Sequence, residues 1–152
     1  MDVTRLVLLL HVLSAFVYGA GYIGTNVMTE LARRTADPDT LRHALSFSGA
    51  LDRLNQVGGT FAGITGILAT LVLGYSLLTP WVLAAIALYV LIVATGIVFW
   101  GRVGRATERA MSSGNVLRAM ALLRSPFNVA VSRAENIAFL ALVTLMVLRP
   151  GS

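Results

Sequence analysis

The sequence predicts an all-α polytopic membrane protein. The expected architecture is an antiparallel bundle of four transmembrane helices, with short amphipathic helices on the cytoplasmic side. Three observations carry that expectation. Apolar residues make up 57 % of the 152 residues and charged ones only 12 %, whereas a soluble domain carries about 25 % charged residues. Four apolar runs are each long enough to cross a bilayer, which takes about 20 mostly apolar residues. The basic residues, all arginine, are concentrated in two of the connections between those runs. In hydrocarbon every backbone N–H and C=O must be satisfied within its own segment, so such runs are helices. The whole chain, 1–152, reads as one transmembrane domain.

The first span is expected over about Leu6–Met28. It is longer than the 7–15 residue core of a secretory signal, and no small-x-small site closes it, so it reads as an uncleaved span. His11, Ser14, Tyr18, Tyr22, Thr25 and Thr29 follow helical spacing along it, flanked by Asn26. A polar stripe on a membrane helix should face its neighbours or a cavity rather than lipid. His11, the one histidine in any span, lies about 8 Å along the helix from the outer end. A neutral imidazole there can ligate haem iron, copper or zinc, relay protons, or simply hydrogen-bond a neighbouring helix.

The first connection opens with Asp37-Pro38, a capping residue followed by proline at the first helical position. Leu41, Ala44, Leu45, Leu51 and Leu54 then recur at near-helical spacing, which reads as a short amphipathic helix on the inner surface, running into span two with little break.

Span two is expected over Val57–Leu78. Gly58, Ala62, Gly66, Thr70 and Gly74 recur every four residues, with Gly59 and Gly63 beside them. Small residues at that spacing allow close helix approach where lipid supplies no hydrophobic drive. The link Leu78-Thr79-Pro80 carries no charge. Span three, Trp81–Trp100, has tryptophans about 28 Å apart along a helix, close to a hydrocarbon thickness, and interfacial tryptophans sit at those edges.

The second connection, about Ala106 to Arg124, places Ala110, Met111, Leu117, Met120 and Leu123 on one side and is interrupted at Ser112-Ser113-Gly114-Asn115. Ser125-Pro126 starts the last span, Phe127–Leu148. Asn128, Ser132, Glu135 and Asn136 share one side of it, with Arg133 nearby. Glu135 lies about 14 Å along the helix from Pro126. A carboxylate at that depth should be paired or solvated; Arg53, Arg102 or Arg133 can neutralise it, with Glu30 a further charge at similar depth.

The two arginine-rich connections hold nine of the twelve arginines, and Arg133, just inside the last span, makes a tenth on the same side. Short arginine-rich loops stay in the cytoplasm, which leaves both termini outside. The net charge of +5 is then a topology signal and an attraction to anionic lipid, and it requires no nucleic acid partner. The chain has no Cys and no Lys, which excludes thiolate and lysine chemistry. There is no convincing catalytic set, no Walker loop, no histidine pair at i, i+4, and no second in-span histidine for a bis-histidine haem other than His11 of a dimer mate.

Leu10-His11-Val12-Leu13-Ser14-Ala15, followed by Tyr18 and Gly21, resembles the start of a group of small bacterial membrane proteins. The group includes an uncharacterised family of four-helix predicted integral membrane proteins, the copper-resistance protein D membrane domain and the membrane-bound protoporphyrinogen oxidases. The resemblance implies a four-helix bundle with His11 near its outer side as a candidate haem (b-type) or metal ligand, and only His11 carries over from it; Tyr18 and Tyr22, on the polar stripe of the same span, are the further candidate cofactor-binding residues. Tyr18 stands where the relatives usually carry Trp.

Three functions are expected. The first is an accessory or interaction subunit, in a homodimer or a larger membrane complex, with no enzyme activity. The second is a haem- or metal-binding protein in redox or cofactor handling through His11. The third is a proton-coupled transporter or channel using Glu135, with Asn26, Asn128 and Asn136 as its polar surroundings.

Overall fold

A computed structural model of the chain describes residues 2–150, and every described secondary-structure element is helical. The chain divides into two compact units, Met1–Leu77 and Leu78–Ser152.

The first unit is a helical hairpin. Helix α1 spans Val3–Arg34 and α2 spans Pro38–Val72. The Asp37 carboxylate accepts from the Thr40 backbone N–H at 2.8 Å, and Pro38 supplies a preset φ at the first helical position. From that cap α2 runs unbroken into the apolar half, so the expected surface helix and span two are one rod. The rod stops in a Schellman turn: Gly74 adopts φ 78° and the Tyr75 N–H reaches the Thr70 carbonyl at 3.0 Å. Gly74 therefore ends the helix and is not part of its packing seam.

Glycines set how closely the hairpin packs. A Cβ on Gly58 would lie 2.5 Å from the backbone nitrogen of Tyr18, and one on Gly21 would lie 2.5 Å from that of Asn55. Further contacts join Gly24 to Leu51 and Gly66 to His11. These pairs run in opposite directions along the chain, so the helices are antiparallel and in register from His11–Gly66 to Gly24–Leu51. Gly58, Gly59, Ala62, Thr65 and Ala69 form the buried seam of α2, and the small-residue pattern serves packing within the unit.

The second unit begins with α3, Pro80–Ala94, which continues through a π-helical turn, Thr95–Trp100, into α4, Gly101–Ser112. Gly114 at φ 74° breaks the chain, and Asn115 caps α5, Val116–Arg124, by accepting from the Arg118 N–H at 3.0 Å. Helix α6 covers Pro126–Leu148. Within this unit α3 packs on α6, α4 on α5, and α5 on the start of α6.

Three rods are long and apolar enough on their own to cross a membrane: Val3–Arg34, Pro80–Ser112 and Pro126–Leu148. The sequence led us to expect four. The exception is α2, and the reason is physical. Its helix ends at Val72 instead of continuing to Leu78, so the apolar helical stretch Val57–Val72 covers only about 24 Å. A hydrocarbon core is about 30 Å thick, and the residues preceding the stretch are the polar Asn55 and Gln56. Outward faces of the rods are apolar: Phe16, Ile97 and Phe127 are each about two-thirds exposed or more.

Candidate functional site

The polar stripe of α1 faces α2. Tyr18 and Tyr22 are buried, their ring centroids 6.3 Å apart, and the Tyr18 ring lies over Gly59. His11 is half-buried about two turns before Tyr18, with its ring over Gly66. Its Nδ1 lies 3.3 Å from Thr65 Oγ1. The Thr65 hydroxyl already donates to the Phe61 carbonyl at 2.6 Å. A hydroxyl has one proton, so toward His11 it can only accept. Nδ1 must then carry the imidazole proton, which leaves the lone pair on Nε2. With the Thr65 proton directed at Phe61, Nε2 is the ring nitrogen left as an acceptor.

Other members of the stripe turn back on their own helix. Ser14 Oγ donates to the Leu10 carbonyl at 2.6 Å, and Asn26 Nδ2 donates to the Tyr22 carbonyl at 2.9 Å. Two buried atoms at the hairpin interface, Thr25 Oγ1 and Asn55 Oδ1, have no protein hydrogen-bond partner among the described residues. Asn55 escaped the sequence reading because it precedes the expected start of span two. Its polar side chain, three residues before Gly58 in the buried seam, was the available signal.

At the C-terminal end of α1, Glu30 accepts from Arg34 Nε at 2.9 Å and pairs with Arg33 at 3.5 Å. The carboxylate is thereby matched by guanidinium groups of its own helix. In the connection to α2, Asp37 is held below the ordinary carboxyl range, chiefly by the Thr40 hydroxyl and then by the Thr40 backbone N–H.

In the second unit, Glu135 accepts a hydrogen bond from Trp100 Nε1 at 2.6 Å. This corrects the expected pairing, since among the described residues none of Arg53, Arg102 and Arg133 makes an ion pair with it. Trp100 is the last residue of the π turn. One extra residue in a helical turn changes the rotation of the helix beyond it, and here the Trp100 indole is directed at α6. A tryptophan read as an interfacial anchor is thereby a partner for the intramembrane acid. Phe99 packs edge-on against both Trp100 and Phe127, at 5.0 and 5.7 Å between centroids. Asn128, buried, donates to the Leu122 carbonyl at 2.7 Å and so closes the end of α5. Asn136 is half-buried on the same helix.

His11, Tyr18, Tyr22 and Asn26 thus belong to one unit, and Asn128, Glu135 and Asn136 to the other. Among the described residues no three His, Cys, Asp or Glu side chains converge in a metal-binding arrangement. A family model described as "Predicted integral membrane protein (DUF2269)" matches residues 5–150. No curated protein and no solved structure matches the chain.

Proposed function

The chain belongs to this family of predicted integral membrane proteins, and on that premise we propose that it is an accessory, interaction-type subunit of the bacterial cytoplasmic membrane. One observation supports the reading: four polar side chains of the spans are engaged by neighbouring protein groups. His11 meets Thr65, Asn26 the Tyr22 carbonyl, Asn128 the Leu122 carbonyl and Glu135 the Trp100 indole. Such bonds hold helices together and leave apolar faces outward for lipid or for another membrane protein.

The same proposal has four crossings. Helix α2 is too short in apolar length to cross alone, but its residues 51–66 pack antiparallel on residues 11–24 of α1, which supports a shared depth. The arginine-rich connections then lie in the cytoplasm and both termini outside. Mild-detergent extraction from native membranes, followed by native electrophoresis of the tagged chain, tests the role. A discrete larger assembly that disappears in a deletion strain supports it. A chain that migrates only as a bare monomer or dimer with lipid overturns it.

A second reading has its own support in His11. With Nδ1 tied to Thr65, the Nε2 lone pair offers one nitrogen ligand to haem iron, copper or zinc, in line with the resemblance of the Leu10–Gly21 segment to haem- and metal-handling membrane proteins. A second axial ligand would have to come from a non-histidine group or from a second copy. An optical spectrum and elemental analysis of the purified protein test this reading. A Soret band or stoichiometric metal that H11A abolishes would favour it over the accessory role, and neither in protein made with haem and metals supplied would remove it. A proton path through Glu135 has less support, because that carboxylate is held by an indole rather than facing further titratable groups.

A further inference from the structure

The arginine-rich end of the second unit contains an open cleft of about 450 Å³. Arg102 and Arg118, from α4 and α5, stand on its walls, with Val103, Ala106, Ala121 and Leu122 supplying apolar lining. Both arginines are exposed, and neither is in an ion pair among the described residues. Between Gly101 and Arg124 the sequence has five arginines against one acid, Glu108.

The level of the cleft is set by length. The rod Pro80–Ser112 has 33 residues, about 50 Å at 1.5 Å per residue, against a hydrocarbon core of about 30 Å. Its apolar segment comes first and Arg102 follows Trp100 directly after Gly101, so Arg102 lies where the hydrocarbon gives way to head groups. A guanidinium fork matches a phosphate oxygen pair and keeps its charge when partly desolvated. Two such forks on different helices, above an apolar wall, suit an amphiphile that carries a compact negative group immediately above its hydrocarbon. A water-soluble anion would make no use of that wall.

We propose that this cleft binds the phosphodiester head group of an anionic phospholipid, with Arg102 and Arg118 on the phosphate and the apolar wall under the glycerol backbone. The proposal rests on the integral-membrane character of the chain and does not require the accessory role.

The test is native mass spectrometry of the full chain released from detergent micelles. The micelles contain phosphatidylglycerol or phosphatidylcholine with the same acyl chains, or glycerol phosphate as a head group without chains. Phosphatidylglycerol should be retained about tenfold or more over phosphatidylcholine, the scale expected of two arginines at a membrane surface. R102Q/R118Q should fall to the phosphatidylcholine level, while R105Q/R109Q, which removes equal charge outside the cleft, should keep most of the preference. Equal retention of the two lipids overturns the proposal, as does equal loss in both double variants or displacement of the lipid by glycerol phosphate at matched concentration. Should circular dichroism show R102Q/R118Q misfolded, R118Q alone decides, because among the described residues the Arg118 side chain makes no hydrogen bond or ion pair to lose. Unchanged lipid selectivity in R118Q would again overturn the proposal. The membrane reading fails separately, if the chain stays dispersed in water without detergent.

Discussion

The indole of Trp100 donates to the carboxylate of Glu135 at 2.6 Å, tying a π-helical turn to a helix 35 residues further along the chain. Removing one partner of a part-buried hydrogen bond leaves the other desolvated and unmatched, at a cost of about 1–3 kcal/mol. W100F keeps the aromatic packing against Phe99 and removes only the donor. It should lower stability by roughly 2 kcal/mol, read as an earlier midpoint in an SDS titration from mixed micelles. E135Q retains a carbonyl acceptor and should lose clearly less than E135A. Equal midpoints for W100F and wild type would show that the bond contributes little.

The hairpin makes a sharper structural prediction. A Cβ on Gly58 or Gly21 meets partner backbone at 2.5 Å, so the helices must separate. G58A and G21A should each cost about 1–3 kcal/mol, the usual scale of overpacking. G49A adds a Cβ with nothing within 4 Å and should be neutral or slightly stabilising through helix propensity. The same SDS titration ranks the three, and a G49A loss equal to that of G58A would refute the seam.

Thr65 fixes the His11 tautomer. In ¹⁵N-histidine NMR the wild-type ring should be protonated at Nδ1 at neutral pH, the less usual form in water. T65V should let the proton move to Nε2, with a stability loss of about 1 kcal/mol for the lost hydrogen bond. An unchanged nitrogen pattern in T65V would contradict the assignment.

Asp37 gives the pH dependence. Its carboxyl is held below the ordinary value by Thr40, so the folded state binds its proton less readily than the unfolded chain does. The stability it confers is present above the unfolded carboxyl pKa and is lost as pH falls through the lowered folded value. Hydrogen exchange at the Thr40 amide, measured against an internal α2 amide to cancel intrinsic rates, should lose protection in acid. D37N should remove most of that pH dependence. A wild-type profile that matches D37N would sink the prediction.

Much of the helix arrangement is open to inspection in the residues themselves. Asp37-Pro38, Ser125-Pro126 and the Ser113-Gly114-Asn115 break are local chemistry, and each marks a helix boundary where expected. Span two ends earlier than its hydropathy suggests because Gly74 takes φ 78°, one of several conformations open to a glycine. The partners in the candidate sites were hidden for a different reason. Helical spacing shows that His11, Tyr18 and Tyr22 share a side, but not that Thr65 stands opposite His11. That pairing is set by how closely Gly21 and Gly58 let the backbones approach.

What the sequence alone determined is the environment: long apolar helices, arginines gathered in two connections, and polar stripes that avoid lipid. These features come from solvent preference and helical period, which act residue by residue. What only the tertiary structure decided is which polar groups meet. Glu135 has an indole rather than a guanidinium as its partner, from Trp100 at the end of the π turn. His11 has Thr65 opposite it, with the Thr65 hydroxyl proton already directed at the Phe61 carbonyl. Both outcomes depend on distances between separate helices, to a fraction of an ångström, and hydropathy and spacing carry no information at that scale.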